Sequence, residues 1–321
     1  MRVAITTSLD EPQRRAFREV LGQEVVFISG RDPERRLEDL REAEVVVSFR
    51  PNREMSPDEL REATRLRLVQ LLSAGADHVD FAALPQGVLV AGNIGGYADP
   101  MAEHVLGMAL ALAKRLARND ESMARGEFPH LEETIRLRGA VVGFGGIGRA
   151  SAWLFRCMGM SIHAINTTGR TDGDVEFVGT LRDLEAVLRA SDVVLLSIPL
   201  THRTRGLIGE RELGWMKPTT ILINVARGAV VDEEALYRHL RASPAFSAGL
   251  DAWWDEPRGD QPFKPRFPFL ELPNVLGSPH NSAIVPGFEV EAATAAARNV
   301  ARFRAGERPA GIQDPKDYAA Q

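Results

Sequence analysis

The hydrophobic pattern of the chain alternates between short β-branched runs and longer stretches with helical periodicity. In the first third, five runs predict strands at Val3–Thr6, Val25–Ser29, Val45–Ser48, Leu68–Leu72 and Val88–Val90. The segments between them predict helices at Arg14–Leu21, Pro33–Glu42 and Pro57–Thr64. Ser56, Pro57 and Glu59 have the spacing of a capping box at the start of the third helix. Strands that alternate with helices predict a parallel sheet with helices on both faces.

The same alternation starts again near residue 140. Further strands are predicted at Ala140–Val142, Ser161–Ile165, Val193–Ser197, Thr220–Asn224, Ser247–Leu250 and Val275–Gly277. Helices are predicted at Ile147–Met158, Leu181–Arg189 (capped by Thr180), Glu210–Trp215, Glu233–Arg241 and the Ala-rich stretch Phe288–Arg304. The fold class that this pattern predicts is α/β, with two consecutive doubly wound parallel-sheet halves.

A long apolar helix is predicted between the two halves, from Met101 to about Leu116. Asp99 has the character of its N-cap and Pro100 that of its first residue. The helix lacks a polar stripe, which favours burial between domains or between subunits. The polar segment Ala117–Glu133 follows it.

Gly143, Gly145 and Gly148 form a G-x-G-x-x-G pattern between a predicted strand and a predicted helix. This is the layout of a dinucleotide-binding turn. The first glycine permits a sharp turn, the second lets the backbone approach a pyrophosphate, and the third lets the helix pack close to the strand. The unpaired N–H groups and the dipole at the helix start favour the same phosphates. An ordinary tight turn between strand and helix is the alternative.

The composition narrows the classes of partner. A chain of 321 residues has room for two domains. The formal net charge of −5 and the lack of a Lys/Arg tract argue against nucleic acid or a membrane surface as the main partner. No apolar run approaches a spanning length, and the N-terminus is typical of a first strand rather than a signal peptide. Cys157 is the only cysteine, which fits a reducing cytoplasm, and we expect it in the core.

Arg227, Glu256 and His280 each follow a predicted strand, at the edge where parallel sheets bind their ligands. A histidine exchanges a proton near neutral pH, and a paired carboxylate stabilises its charged form. An arginine fork matches a carboxylate substrate. Taken singly, each residue has a structural alternative: Arg227 as a surface ion-pair partner, Glu256 as a solvated carboxylate and His280 as a structural histidine. Together they predict an acid/base site for a carboxylate substrate.

Several separate motifs occur in one order along the chain. They are Ala74–Asp80, Met101–His104, the glycine turn, Pro199–Thr204, Asn224–Gly228, Gly249–Asp251 with Glu256-Pro257, and Ser278–His280. In these motifs the chain resembles the D-isomer-specific 2-hydroxyacid dehydrogenases over nearly its whole length. The resemblance implies two Rossmann-like domains: a discontinuous substrate domain, 1–98 plus 284–321, and a dinucleotide-binding domain, 99–283.

The resemblance also implies a function. It indicates a cytoplasmic NAD(P)-dependent oxidoreductase, a homodimer through the coenzyme domain, that interconverts a small 2-keto acid and the D-2-hydroxy acid. Glyoxylate, hydroxypyruvate, pyruvate and bulkier acids all remain open as substrates. By the same resemblance His280 is the acid/base, Glu256 its partner carboxylate and Arg227 the clamp on the substrate.

The remaining predicted site residues come from these motifs and from two loops that follow predicted strands, the loop of Arg50 and the loop of Asn166, Thr168 and Arg170. The predicted substrate-binding residues are Arg50, Gly75, Ala76 and Arg227. The predicted cofactor-binding residues are Gly143, Gly145, Gly146, Ile147, Gly148, Asn166, Thr168, Arg170, Pro199, Thr204, Val225, Ala226 and Asp251. Neither H-E-x-x-H nor C-x-x-C occurs, so no metal is expected.

The chain departs from the family pattern at three places. Asn166 stands where an acidic residue would select NAD, and Thr167, Thr168 and Arg170 follow it, which favours NADPH over NADH. Asp172 and Asp174 nearby would oppose that preference, and use of both cofactors is the alternative. The segment Pro257–Phe267 is longer than the family pattern, and the pair Trp253-Trp254 is bulkier. The two tryptophans belong either to the core or to the lining of the pocket. These two features leave the substrate open.

Two other functions remain open at this point. A dinucleotide-sensing regulatory protein could share the fold, since fold alone does not fix function. The intact set Arg227, Glu256 and His280 argues against it. A formate- or phosphite-type dehydrogenase is the second alternative. The formate enzymes of the family have Gln at the position of Glu256, so this residue argues against that activity.

Overall fold

Two separately packed units make up the chain, in a computed structural model that describes residues 1–128, 138–257 and 261–318. The first unit comprises Met1–Tyr97 and Val285–Gln321, and the second comprises Ala98–Ile284. Each unit has one parallel sheet, which confirms the predicted α/β class.

The sheet of the first unit has five parallel strands. They are β1 (Arg2–Ile5), β2 (Val25–Phe27), β3 (Ala43–Ser48), β4 (Leu68–Leu71) and β5 (Leu89–Ala91). Their spatial order is β2-β1-β3-β4-β5, the flavodoxin-like order of doubly wound sheets. All five agree in place with the predicted strands.

Helices cover this sheet because its strands are apolar on both faces. They are α1 (Glu11–Leu21), α2 (Pro33–Glu42), α3 (Pro51–Glu54), α4 (Pro57–Glu62) and the last helix, Phe288–Arg304. One set of strand residues packs with α1 and the last helix, and the alternate set packs with α2 and α4. The predicted capping box is confirmed, since Ser56 and Glu59 each accept a hydrogen bond from the other's backbone N–H.

Asn299 attaches the last helix to the first unit. It is 8% exposed, and its Nδ2 donates to Oε1 of the fully buried Gln70 at 2.7 Å. The same side chain bonds both backbone groups of Ala310, at 3.0 and 2.8 Å. Ile312 then forms an antiparallel bridge to Ala91 at the edge of the sheet. The C-terminal segment therefore completes the unit that the N-terminal residues begin.

The second unit has seven parallel strands. They are β6 (Gly139–Val142), β7 (Ile162–Ile165), β8 (Phe177–Gly179), β9 (Val193–Leu196), β10 (Ile221–Asn224), β11 (Ser247–Leu250) and β12 (Val275–Gly277). The order β8-β7-β6-β9-β10-β11-β12 contains the Rossmann arrangement, with its reversal between β6 and β9. Sequence analysis missed β8, a strand of three residues at the sheet edge.

The helices of the second unit lie on two sides of its sheet. They are α5 (Ala98–Ala113), α6 (Leu116–Ala124), α7 (Gly146–Cys157), α8 (Leu184–Ala190), α9 (Glu210–Trp215) and α10 (Glu233–Ala242). Side chains of α8, α9 and α10 share a core with one sheet face. Helix α5 packs against α7, β10 and β11. Among the described residues, no helix is both long and apolar enough to cross a membrane.

Three details of the predictions are wrong. Helix α5 begins at Ala98, so Asp99 and Pro100 lie within its first turn, and it ends at Ala113. Arg115 takes a left-handed φ of 51°, which separates α5 from α6.

Cys157 is exposed rather than in the core. The buried face of α7 carries Ser151, Ala152 and Phe155, and a residue two positions beyond Phe155 points away from it. Residues 129–133 of the predicted polar segment lie outside the described residues.

Replacing Asn299 by Leu tests the attachment of the last helix. The change leaves Gln70 and the Ala310 backbone without their partners, so we expect the free energy of unfolding to fall by about 1–3 kcal/mol. Urea unfolding followed by circular dichroism measures the loss. Arg298→Leu places the same side chain at an exposed position of the same helix and should change stability by less than about 0.5 kcal/mol. Equal midpoints for the two variants would contradict the role of Asn299.

Candidate functional site

The glycine turn joins β6 to α7, and packing within the protein fixes two of its glycines. Gly143 has a φ of +101°, and a Cβ there would lie 2.5 Å from Cγ2 of Ile198. A Cβ at Gly148 would lie 2.0 Å from the carbonyl oxygen of Gly143. A larger residue at Gly143 would collide with Ser197 and Ile198 after β9, and one at Gly148 would push the helix away from the strand.

Gly145 differs, because a Cβ there would meet no protein atom within 4 Å. It is the N-cap of α7, so Gly146 and Ile147 are the first helical residues, and their N–H groups have no acceptor within the helix. Open space above a glycine at a helix N-terminus fits a pyrophosphate that approaches the backbone closely. The turn therefore suits a dinucleotide.

The loop after β7 is organised by Asn166. Its Oδ1 accepts hydrogen bonds from the N–H groups of Thr168 at 3.0 Å and Gly169 at 2.7 Å. Its Nδ2 donates to the carbonyl oxygen of Arg170 at 2.8 Å. The amide of Asn166 thus holds the loop, while the Arg170 side chain is exposed and forms no ion pair with any described residue. This part of the site carries no carboxylate.

The two aspartates that follow this loop are paired with arginines of α7. Asp172 accepts a hydrogen bond from Arg149 at 2.6 Å, and this contact lowers the pKa of the aspartate. Asp174 forms an ion pair with Arg156. Their negative charges are therefore offset by neighbouring positive charges.

Arg227 lies on the loop after β10, and two hydrogen bonds of the Asn224 side chain hold this loop. The buried Asn224 donates to the carbonyl oxygen of Arg227 at 2.9 Å and accepts from the Ala226 N–H at 3.0 Å. A Cβ at Gly228 would lie 2.3–2.4 Å from the backbone of Trp253 and Trp254. The loops that follow β10 and β11 are therefore in direct contact.

Glu256 and His280 form the central pair of the site. Nδ1 of His280 lies 2.7 Å from Oε1 of Glu256, which also accepts from the Trp253 N–H at 3.1 Å. Burial alone would raise the pKa of Glu256, but the bonds from His280 and Trp253 and the charge of Arg227 lower it below its ordinary value. Arg227, Glu256 and His280, which the sequence predicted together, thus share one site.

Asp251 holds the loop that carries His280. Its carboxylate is fully buried and accepts from Ser278 Oγ at 2.5 Å, Asn281 N–H at 3.1 Å and Ser282 N–H at 3.3 Å. Burial raises the pKa of Asp251, and the bonds from Ser278 and Ser282 outweigh that effect and lower it. Sequence analysis assigned Asp251 to the cofactor and missed its role beneath His280. The short polar residues that flank His280 are visible in the sequence, but nothing in the sequence identifies Asp251 as their acceptor.

Four more predicted cofactor residues follow strands of the second unit: Pro199, Thr204, Val225 and Ala226. The hydroxyl of Thr204 donates to the carbonyl oxygen of Pro199 at 2.7 Å and accepts from the Thr201 N–H at 2.8 Å, which closes a turn after β9. Val225 and Ala226, directly after β10, are 2% and 8% exposed. Among the described residues, no group of three or more His, Cys, Asp or Glu side chains is arranged to hold a metal ion.

The predicted substrate residues of the first unit lie on two adjoining loops. Arg50 follows β3 with an exposed side chain, and Gly75 and Ala76 follow the neighbouring strand β4. Nε2 of His78 lies 2.8 Å from the carbonyl oxygen of Phe49. Asn52 exchanges two hydrogen bonds with the backbone of Asp80, at 3.1 and 2.8 Å. These contacts tie the two loops together.

Comparison with known proteins agrees with this geometry. The profile of the D-isomer specific 2-hydroxyacid dehydrogenase NAD binding domain matches residues 106–282. A glyoxylate reductase of Aeropyrum pernix is 32% identical over 288 residues, which cover 86% of this chain and 84% of the relative.

Two solved structures share the fold over 99% of this chain. A Pyrobaculum aerophilum protein, provisionally described as a formate dehydrogenase, has a TM-score of 0.83 at 27% identity over its whole length. A D-isomer specific 2-hydroxyacid dehydrogenase of Xanthobacter autotrophicus Py2, in complex with NADPH and MES, has a TM-score of 0.79 at 26% identity over 99% of its length.

Alanine at the glycine turn separates packing from ligand binding. Gly148→Ala should lower the free energy of unfolding by roughly 1–3 kcal/mol, because its Cβ overlaps the Gly143 carbonyl. Gly145→Ala should leave stability unchanged and raise the dissociation constant of the dinucleotide by about tenfold or more, since each 1.4 kcal/mol of lost binding is tenfold. Thermal unfolding and calorimetric titration with NADPH and NADH measure the two effects. Unaltered dinucleotide affinity in Gly145→Ala would argue that the open space is not the pyrophosphate site.

Proposed function

We propose that this chain, which belongs to the D-isomer-specific 2-hydroxyacid dehydrogenase family, interconverts a 2-keto acid and the D-2-hydroxy acid with a nicotinamide dinucleotide. The observation that carries the proposal is the 2.7 Å contact between His280 and Glu256, beside Arg227. When bound, the nicotinamide supplies the hydride for the substrate carbonyl carbon. The chain supplies binding, orientation and the proton.

Arg227 binds the substrate. Its planar guanidinium can donate two parallel hydrogen bonds to a carboxylate, and its charge polarises the adjacent carbonyl. The hydrogen bond from Asn224 to the Arg227 carbonyl oxygen fixes the backbone that carries this side chain. We assign further carboxylate contacts to Arg50, Gly75 and Ala76 of the first unit, which makes residues 1–98 and 284–321 the substrate domain.

His280 moves the proton. Because Nδ1 contacts Glu256, Nε2 is the nitrogen that donates a proton to the carbonyl oxygen during reduction and takes it back during oxidation. Glu256 stabilises the imidazolium, since its own pKa is lowered and it stays ionised at neutral pH. Asp251 keeps the histidine in place through Ser278, Asn281 and Ser282.

We assign cofactor binding to residues 99–283. Gly143, Gly145, Gly146, Ile147 and Gly148 would hold the pyrophosphate. The residues assigned to the nicotinamide follow β9, β10 and β11, beyond the sheet reversal: Pro199, Thr204, Val225, Ala226 and Asp251.

We further propose that NADPH is preferred over NADH. The amide of Asn166 stands where a carboxylate would repel a 2′-phosphate. Arg170 and the Thr168 hydroxyl lie in the same loop, and the exposed guanidinium is available for a charge-assisted bond to phosphate. Asp172 and Asp174 would repel a 2′-phosphate only weakly, because Arg149 and Arg156 form ion pairs with them.

A formate dehydrogenase is the second candidate, favoured by the structural likeness to the Pyrobaculum aerophilum protein. Formate has no hydroxyl proton to remove, so its oxidation gives no role to a proton-exchanging His280–Glu256 pair. The pair therefore favours the hydroxy acid. Assays of formate and of D-2-hydroxy acids with the oxidised cofactors distinguish the two activities.

We also propose a cytoplasmic homodimer that forms through the second unit. Leu116 and Met123 of α6 and Trp153 of α7 are each more than half exposed, at 55%, 53% and 66%. Both helices adjoin α5. Large apolar side chains of this kind favour burial against a partner surface.

Substitutions at the pair test the acid/base assignment. His280→Ala should lower kcat for 2-keto acid reduction by roughly two to four orders of magnitude and leave dinucleotide affinity nearly unchanged. Glu256→Gln should lower kcat less. Steady-state rates from pH 5 to pH 9 measure both effects, and near-wild-type turnover by His280→Ala would refute the assignment.

The cofactor preference has its own test. The wild type should show a higher kcat/KM with NADPH than with NADH. The double variant Asn166→Asp, Arg170→Ala should shift the ratio toward NADH by about tenfold or more, since it adds a repelling charge and removes an attracting one. Arg189→Ala, which removes an exposed arginine from the end of α8, is the matched control. A wild-type preference for NADH, or a ratio that the double variant leaves unchanged, would refute the preference.

A further inference from the structure

A mostly apolar pocket of about 330 Å³ lies beside the acid/base pair, within the second unit. Its polar lining consists of Glu256, Ser278 and His280, and its carbon walls come from Trp253, Pro257, Phe263, Leu270, Gly277 and Pro279. We propose that this pocket receives the side chain of the 2-keto acid, and that the substrate is an acid with a branched aliphatic or aromatic side chain rather than glyoxylate. This inference rests on the proposed reductase function.

Hydrogen bonds fix the main wall of the pocket relative to the catalytic pair. Nε1 of Trp253 donates to the carbonyl oxygen of Ser278 at 2.8 Å, and the Trp253 N–H donates to Glu256 at 3.1 Å. With both donors satisfied, the indole presents carbon to the pocket. The wall and the reacting residues are therefore parts of one hydrogen-bonded assembly.

Gly277 leaves the space that the Trp253 indole occupies. A Cβ at Gly277 would lie 2.7 Å from Cδ2 of Leu270 and 2.9 Å from Cζ2 of Trp253. Glycine at the end of β12 thus allows both side chains to stand against the strand. Phe263, which the long segment Pro257–Phe267 contributes, packs edge-on against Trp253 with ring centroids 4.9 Å apart.

The surroundings of the pocket indicate that an apolar group fills it. Leu270 is 56% exposed although the residue before it, Phe269, is fully buried in the core. His280 Nδ1 and Glu256 Oε1 bond to each other, so these two atoms keep their partners when an apolar group lies beside them. Glyoxylate has only hydrogen in the side-chain position and would leave the walls in contact with water. A substrate side chain would remove that apolar surface from water.

The substrate series provides the test. We expect kcat/KM to rise from glyoxylate through pyruvate to 2-oxo-4-methylpentanoate and phenylpyruvate, by at least about tenfold overall, because one methylene in an apolar pocket is worth roughly 10–200-fold. Phe263→Ala should reduce the ratio of kcat/KM for 2-oxo-4-methylpentanoate to that for glyoxylate by about tenfold. Leu270→Trp, at a half-exposed position that the fold tolerates, should reduce the same ratio by filling the pocket. Phe177→Ala on β8 is the control and should leave the ratio unchanged.

The outcomes separate the inference from the function on which it rests. If glyoxylate is reduced as efficiently as the bulkier acids, and Phe263→Ala and Leu270→Trp keep the wild-type ratio, the side-chain pocket is refuted and the reductase function stands. If no 2-keto acid is reduced with NADPH or NADH, both are refuted. If the two variants change the oligomeric state in size-exclusion chromatography but not the ratio, the pocket receives a second copy of the chain, and the inference is refuted.

Discussion

The buried carboxylate of Asp251 is the contact on which the rest of the site depends. A fully buried charge is tolerated only where hydrogen bonds replace its hydration, and here the donors come from Ser278, Asn281 and Ser282. These donors bracket His280 in the sequence. The requirement to satisfy Asp251 therefore also sets the conformation of the loop that carries the histidine. His280 itself has a φ of +52°, a left-handed conformation that a non-glycine residue keeps only when its neighbours hold it.

A second layer of contacts orders the residues around this carboxylate. His104 of α5 lies 3.0 Å from Ser278 Oγ, and Trp253 reaches the carbonyl oxygen of the same serine. Glu256 is in turn held by the Trp253 N–H. Glu256 and the loop of His280 are thus held by contacts from α5 and from both the backbone and the indole of Trp253.

Much of this arrangement could be predicted from sequence because its causes are local. Strand positions followed from β-branched runs, the capping box from Ser56 and Glu59, and the glycine turn from its spacing. The end of α5 at Ala113 was missed, since Lys114 and Arg115 are both compatible with a helix and Leu116 resumes the apolar pattern, whereas the left-handed φ of Arg115 interrupts the helix. The supporting role of Asp251 was missed for another reason: its donors lie 27 to 31 residues away, and no local pattern reveals such a contact.

The interrupted first unit has a consequence for synthesis of the chain. The second unit, Ala98–Ile284, is continuous, whereas the first is completed only by Val285 and the residues after it. Gln70 in β4 finds its partner Asn299 across 229 residues. Since a chain is made from its N-terminus, the later-encoded unit has all its strands before the earlier one has its last helix. Until the last helix is made, α1 covers only part of one face of the first sheet. The apolar residues of that face, from Val3 to Leu68, therefore stay partly exposed in the nascent chain for longest.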